Sequence, residues 1–221
     1  MIKKSFSITL MFCLASLMAL SQSAHETRAE QKAKELLEKA SARLKSLRSL
    51  EAEFTYTMEN TSMEINETYT GKLFSKGDKY RMTLGDNIFI SDGRTVWNYL
   101  DDLYEIHINY VENMEGGLTP TALLANFGTE YRSRFVRQET FRGKTVDIID
   151  LVPNTPQSFF KYRVALDASD QMIVYTVAYD RHGGTYTYTL TRVRVNPTLS
   201  DDLFVFRRSD FPENVDVIDL R

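Results

Sequence analysis

Few residues of this chain have the types and spacing that catalysis requires. The three histidines are His25, His107 and His182, and no nucleophile–base motif adjoins any of them. His107 stands between two isoleucines, which is typical of a strand residue facing away from them, and His182 belongs to a glycine-rich turn. The motifs Gly-x-Ser-x-Gly and His-Glu-x-x-His are absent from the sequence. We therefore expect no catalytic residues and no enzymatic activity.

Metal, cofactor and nucleic-acid binding have no stronger signal in the sequence. Asp167, Asp170 and the pair Asp101-Asp102 fall in predicted turns and lack the dense ligand spacing of a calcium loop. The only cysteine, Cys13, lies in the apolar N-terminal stretch, and no glycine-rich phosphate loop is present. The formal net charge of −3 argues against nucleic acid as a partner. We expect no metal and no cofactor.

The N-terminus has the pattern of an export signal. Lys3 and Lys4 precede the uncharged apolar stretch Phe6–Leu20, and small residues follow it near Ser21. The stretch is shorter than a membrane-spanning helix, which needs about 20 apolar residues. We therefore predict a cleavable signal peptide over residues 1–21, a single domain over residues 22–221 that does not span the membrane, and a periplasmic location.

Hydrophobic periodicity predicts one long helix followed by a series of strands. Thr27 and Glu30 have the spacing of a capping box and open a helix from about 28 to 48, with one apolar stripe. From Leu50 to Glu59 the period changes to two, which indicates a half-buried strand. Ten further strands, separated by turn signals, are predicted at Glu67–Ser75, Lys79–Leu84, Asn87–Ser91, Thr95–Leu100, Tyr104–Asn109, Arg134–Thr140, Thr145–Leu151, Phe159–Leu166, Met172–Asp180 and Thr185–Asn196. Beyond these, the segments Leu203–Arg207 and Val215–Asp219 are candidates for a last pair of strands.

A second helix is predicted in the middle of the chain. Thr119 and Pro120 fit its N-cap and first turn, and Gly128 fits its C-terminal cap. Regularly spaced strands indicate a mainly β protein with some α, built as a barrel or a strongly curved sheet of ten or eleven antiparallel strands. Two helices are then available to cover its inner face.

That inner face is either a filled core or a cavity, and the pattern alone fits both. Hydrophobic residues make up 43% of the chain and aromatic residues 12%, which is enough for a sizeable core. The eight methionines, several of them beside aromatic residues, favour an adaptable apolar surface.

Several short segments of the sequence form a recognisable set. They are Ala52-Glu53-Phe54-Thr55 in the first strand, Gly71-Lys72-Leu73-Phe74 in the second, and Ile90–Tyr99, which contains the pattern Ser-Asp-Gly-x-Thr-x-Trp. This set resembles the LolA-type outer-membrane lipoprotein carriers. A Phe-Arg-Gly-Lys hairpin before Val146 and the late segment Leu199–Phe206 also resemble this family. The resemblance extends from about residue 29 to the end of the chain. One departure is Gly77, which stands where many members of the family have a basic residue.

The resemblance implies an unclosed antiparallel β-barrel under a helical lid, with a hydrophobic cavity that holds lipoprotein acyl chains. It further implies an inner-membrane ABC-type lipoprotein transporter as a partner, an outer-membrane receptor as a second candidate partner, and a monomeric carrier. The expected lid residues are Leu36, Leu37, Leu123, Leu124 and Phe127. The expected cavity residues are Phe54, Tyr56, Met58, Leu73, Tyr80, Met82, Trp97, Ile106, Phe160 and Tyr162.

Other functions stay open at this point. The same fold serves envelope-stress sensors, and another periplasmic protein that binds hydrophobic ligands would share the pattern. An outer-membrane barrel is disfavoured because Glu51, Glu53 and Glu59 would face lipid. An anchored receptor is disfavoured because Phe12, and not a small residue, precedes Cys13.

Overall fold

The computed structural model describes residues 27–113 and 130–221, which form one helix and one twelve-stranded sheet. The helix, α1, spans residues 27–45. The predicted second helix, with Leu123, Leu124 and Phe127, and the predicted signal peptide lie outside the described residues. The strands are β1 (Leu50–Asn60), β2 (Ile65–Lys76), β3 (Lys79–Leu84), β4 (Asn87–Ser91), β5 (Thr95–Leu100), β6 (Glu105–Tyr110), β7 (Tyr131–Phe141), β8 (Lys144–Pro153), β9 (Phe159–Asp167), β10 (Ile173–Asp180), β11 (Thr185–Val195) and β12 (Asp216–Asp219).

Helix α1 is amphipathic, and its apolar stripe determines how it packs. Ala33, Leu37 and Ala40 are fully buried, and Leu36 is nearly so. The opposite face carries charged residues, of which Lys39 donates to Glu35 one turn away at 2.6 Å. Most of the helix stability therefore comes from burial of one stripe against the sheet, because a short helix is marginal by itself.

The sheet is open and not a closed barrel. Its strand order is β12-β6-β5-β4-β3-β2-β1-β11-β10-β9-β8-β7, so β12 and β7 are the two edges. Neighbouring strands are antiparallel except that β12 pairs with β6 in parallel. The predicted mainly β, unclosed architecture is confirmed. The sheet has twelve strands where ten or eleven were predicted, and one pairing is parallel.

One predicted strand is wrong. Leu203 and Phe204 lie instead in a short 3-10 turn, Asp201–Phe204, and residues 205–207 form no strand. A second 3-10 turn, Arg208–Asp210, follows them. The side chain of Ser200 accepts a hydrogen bond from the backbone N–H of Asp202 and caps the first turn. The serine side chain thus gives the Asp202 N–H the hydrogen-bond partner that a neighbouring strand would otherwise supply.

The two faces of the sheet have different covers. We call the face on which α1 packs the inner face, and the other the outer face. Against the outer face of β4, β5 and β6 lies the C-terminal cover, residues 199–215, which contributes Phe206, Phe211 and Val215 to an apolar cluster. Arg208 stabilises the bend of this cover by donating to the carbonyls of Pro212 at 2.7 Å and Glu213 at 2.9 Å. The protein therefore has a core on each side of its sheet.

Among the described residues, no helix has the length and apolar character needed to cross a membrane.

Candidate functional site

An apolar cavity lies between the end of α1 and the inner face of the sheet. Its volume is about 30 Å³, room for about one or two water molecules. Tyr188 is the only lining residue with a polar side chain, and none of the lining residues is charged. The lining residues are Leu44, Leu50, Ala52, Phe54, Leu73, Met82, Met172, Ile173, Tyr188 and Leu190.

The Phe54 ring packs over Gly71 of the neighbouring strand, where no side chain occupies the space. Phe54 on β1 pairs with Gly71 on β2, and only 5% of Phe54 is exposed. A Cβ atom at Gly71 would fall on the Phe54 ring and within 2.6 Å of the Thr83 carbonyl oxygen. The family-like segment that begins at Gly71 therefore makes room for an aromatic wall.

The strands next to the cavity are irregular. The pairing of β1 with β11 shifts between Glu53 and Phe54, and the pairing of β10 with β9 shifts between Ile173 and Tyr175. Such irregularities bend a strand and re-aim its side chains, so two strands that wall the cavity change direction there. Met82 and Met172, both in the lining, are the flexible side chains that adapt to a changing shape.

Tyr188 of the cavity lining and two further tyrosines, Tyr56 and Tyr80, form an aromatic extension of the apolar wall. The rings of Tyr56 and Tyr188 lie 4.7 Å apart, and Tyr80 packs against the same cluster. Burial raises the pKa of all three hydroxyls above the usual value for tyrosine. The hydroxyls therefore stay neutral, and they can donate a hydrogen bond to a ligand at the cavity.

A buried carboxylate faces α1 from the sheet. Asp147 on β8 is 3% exposed and accepts a hydrogen bond from Gln138 Nε2 at 2.9 Å. Lys32 on α1 brings its Nζ to 4.0 Å from Asp147 Oδ1 and to 3.5 Å from the centre of the Phe135 ring. This contact links the first half of the helix to the sheet, far along the helix from the cavity at Leu44.

The structure brings several of the predicted site residues together. Phe54, Leu73 and Met82 line the cavity, and Tyr56 and Tyr80 pack beside them. On the same inner face, Met58 extends the row of β1 and pairs with Tyr186. Of the described lid residues, Leu36 and Leu37 belong to the core under α1, together with Tyr162.

Trp97 and Ile106, two further predicted cavity residues, lie on the outer face. Leu73, Met82, Phe89, Asn98 and His107 pair directly across successive strands, and directly paired residues share a face. Their neighbours in sequence, Trp97 and Ile106, therefore point the other way. Both belong to the outer cluster, where the Trp97 ring stacks on Phe206 at 5.3 Å. We leave both residues out of the proposed cavity.

The Ser-Asp-Gly segment that precedes Trp97 builds a turn. The Asp92 carboxylate accepts hydrogen bonds from the backbone N–H groups of Arg94 at 2.9 Å and Thr95 at 2.8 Å. Ser91 Oγ accepts one from Gly93 N–H, and Gly93 has a φ of 97°, which glycine adopts without strain. The most specific sequence pattern of this chain thus has a structural role: it forms the turn between β4 and β5 and is followed by Trp97, which lies on the outer face.

Phe160 also lies on the outer face, because the pairing of β9 with β10 is irregular at its end. The register shifts between Tyr179 and Asp180, so Phe159 turns inward and packs on Tyr162 and Tyr186. Phe160 is 41% exposed and lies near Tyr179. In the inner core Phe159 takes the place that the alternation gave to Phe160.

Sequence reasoning missed several lining residues. Leu50 and Ala52 share the alternation of Phe54, and Leu190 ends the alternation of Tyr186 and Tyr188 on β11. The alternation was visible in the sequence, but the pairing of β1 with β11 was not, because about 120 residues separate their facing ends, Asn60 and Thr185, across many other strands.

No group of three or more histidine, cysteine, aspartate or glutamate residues able to hold a metal ion occurs in the part of the chain that the structure describes.

Comparison with known proteins adds a family and a fold. The family described as "Outer membrane lipoprotein carrier protein LolA" matches residues 45–207. The outer-membrane lipoprotein carrier protein of Nitrosomonas europaea is 28% identical over 174 residues, which cover 77% of this chain and 82% of that relative. A crystal structure of an uncharacterized conserved protein from Thermus thermophilus matches with a TM-score of 0.58 at 13% identity and covers 85% of this chain and 99% of that one. MucB matches with a TM-score of 0.52 at 14% identity over 80% of this chain and 64% of MucB.

Proposed function

Because this chain belongs to the LolA family of outer membrane lipoprotein carrier proteins, we propose that it binds lipoprotein acyl chains between α1 and the inner face and carries them through the periplasm to the outer membrane. The observation that supports this most directly is the uncharged cavity under the end of α1. Acyl chains need such a site because each methylene removed from water contributes about 0.8 kcal/mol.

In this proposal the described conformation is a closed form of the site. A cavity of about 30 Å³ is far smaller than the roughly 300 Å³ or more of a typical ligand pocket. An acyl chain can therefore enter only if α1 moves away from the sheet or the wall side chains rearrange. Ala33 and Ala40 give α1 small contact residues on its buried stripe, and their burial contributes less than that of leucines.

Loading and unloading involve membrane partners in this proposal. An inner-membrane ABC-type transporter supplies the energy that extracts the lipoprotein, and an outer-membrane receptor accepts it. Residues 1–21 direct export to the periplasm and are removed. Lys76 stands beside Gly77, the position at which many family members have a basic residue. Its Nζ lies 3.1 Å from Asp201 of the C-terminal cover, so its partner is on the outer side.

Binding of a fluorescent triacylated lipopeptide by Phe54→Glu tests the cavity. A carboxylate in this apolar wall would be desolvated by a bound chain, so affinity should fall about tenfold or more. Phe74→Glu is the matched control, because Phe74 lies on the outer face of the adjacent strand and should bind like wild type. Circular dichroism checks that both variants are folded. Equal affinity in all three proteins would contradict the cavity assignment.

An assay of lipoprotein transfer to membrane vesicles distinguishes a carrier from a sensor of the same fold. Wild-type protein loaded with a lipoprotein should deliver it to outer-membrane vesicles. A protein that binds the lipopeptide but delivers none would be a sensing or storage module, and the carrier proposal would then be wrong.

A further inference from the structure

A basic and aromatic patch occupies the outer face near the start of β7 and β9. Arg134, Asp150, Arg163 and Val177 form one directly paired row across β7, β8, β9 and β10. Side chains two residues along a strand share its face, so Arg132 and Lys161 lie beside that row. With Phe160 and Tyr179 they complete what we call the outer patch: Arg132, Arg134, Phe160, Lys161, Arg163 and Tyr179.

Most of the positive charge in the outer patch is unpaired. Arg163 donates to both oxygens of Asp150, at 2.7 and 2.9 Å, and that pair is neutral overall. Among the described residues, no carboxylate forms an ion pair with Arg132, Arg134 or Lys161. Both arginines are exposed. The chain as a whole has a net charge of −3, but three unpaired cations make this part of its surface locally positive.

An exposed aromatic side chain stands among these cations. Phe160 is 41% exposed, and its ring centre lies 6.4 Å from that of Tyr179. Lys161 Nζ lies 4.0 Å from the centre of the Tyr179 ring, so its ammonium group forms a cation–π contact on the same face. Aromatic rings flanked by Lys and Arg are the arrangement that settles at a membrane interface, with the ring at headgroup level and the cations on lipid phosphates.

We propose that the outer patch docks this protein on membrane surfaces rich in anionic phospholipid, with Phe160 inserted among the headgroups. The patch lies on the face opposite the cavity, so docking leaves α1 and the inner face accessible from the aqueous side. The inference does not depend on the proposed carrier function, because it concerns residues that the cavity does not use.

Vesicle flotation tests the proposal. Wild-type protein should float with vesicles that contain phosphatidylcholine and phosphatidylglycerol, and it should float less as salt is added. It should not float with phosphatidylcholine vesicles, which separates docking from uptake of acyl chains by the cavity. Arg132→Glu with Arg134→Glu should lower the partition coefficient at least about 25-fold, because each cation near an anionic surface is worth about fivefold.

The matched control changes the same net charge elsewhere. Lys34→Glu with Lys45→Glu alters two exposed lysines of α1 and should float like wild type. Phe160→Trp should show a blue-shifted emission component on anionic vesicles. Binding of wild type to neither kind of vesicle would overturn the proposal and leave an acidic protein as the partner that fits the patch. An equal loss in the control pair would also overturn it, since net charge alone would then explain binding.

Discussion

Asp167 shows how one side chain fixes a hairpin. Its carboxylate accepts hydrogen bonds from Lys144 Nζ and from Ser169 Oγ, both at 2.6 Å, at the turn between β9 and β10. Only 5% of the residue is exposed. Lys144 first, and Ser169 second, lower the pKa of Asp167 to about 2. Asp167 and Asp170 were predicted to be turn residues, and both accept backbone hydrogen bonds within this turn.

The lowered pKa predicts how stability depends on pH. Because the folded-state pKa lies below the unfolded value, this contribution is present above about pH 4 and is lost as the pH falls toward 2. Asp167→Asn should therefore reduce the free energy of unfolding by about 2 kcal/mol at neutral pH. The difference from wild type should vanish near pH 2. Urea titrations at several pH values measure it.

Asp86→Asn is the control for that measurement, since Asp86 is exposed. A constant gap between wild type and Asp167→Asn from pH 7 down to 2 would show that the ionised carboxylate is not the cause.

Phe54 and Trp97 show which residues of the cavity could be predicted from the sequence and which could not. Alternation alone indicated that Phe54, Leu73 and Met82 share a face with Tyr56, as they do. It could not show which face of β5 points inward, because Ile88, Phe89 and Ile90 on the neighbouring strand are all apolar. The outer face of that strand is covered by residues of the C-terminal cover, so the usual polar marker of an outer face is absent.

At the scale of elements, α1 is the part of the described structure whose movement away from the sheet would open the cavity. Its buried stripe is apolar, and a charged contact, Lys32 to Asp147, adds to it near the first turns. Removal of Lys32 leaves Asp147 buried with the Gln138 amide as a partner, which is unfavourable for an ionised group.

Lys32→Gln should therefore loosen the docking of α1. We expect amide exchange of residues 30–40 to speed up about fivefold, equivalent to about 1 kcal/mol, and lipopeptide uptake to become faster. Lys34→Gln on the exposed face of the same helix should change neither, because its pair with Glu38 is largely solvated. Hydrogen exchange followed by mass spectrometry gives the comparison. Unchanged exchange in Lys32→Gln would mean that apolar burial alone holds the helix.

The C-terminal cover is the second element whose role can be tested separately. Trp97 stacks on Phe206 with an angle of 1° between the rings, and Phe206 also stacks on Phe211. Trp97→Ala should lower the free energy of unfolding by about 2–3 kcal/mol through the lost packing. The folded fraction should still bind lipopeptide with wild-type affinity, because Trp97 lies on the face opposite the cavity.

Denaturation followed by circular dichroism and a binding titration measure the two quantities. A loss of affinity without a loss of stability would place Trp97 functionally at the ligand site.

The positions of the strands along the chain were easier to predict than the register of their pairing. The predicted bounds of β3, β4 and β5 coincide with those observed, because each strand lies between glycine or aspartate turns such as Gly85-Asp86 and Asp92-Gly93. The irregular pairing that turns Phe160 outward was not predictable, since a register shift depends on the partner strand and leaves no local signature.

At the scale of the whole molecule, the two faces of the open sheet carry different structural features. The inner face holds α1 and the cavity, and the outer face holds the C-terminal cover at one side and the outer patch at the other. The sequence predicted a sheet with helices on one side, as the family resemblance implied. It did not predict that residues 199–215 lie on the other side, because their short apolar pattern resembled another strand.

The small volume of the cavity under α1 also predicts the heat-capacity change when an acyl chain binds. In the closed conformation most of the lining residues are already buried, so a bound hydrocarbon chain would remove from water little surface besides its own. The heat capacity should then decrease on binding by an amount that increases with the length of the chain and depends little on the protein surface. The same burial leaves little of this apolar wall exposed to other proteins.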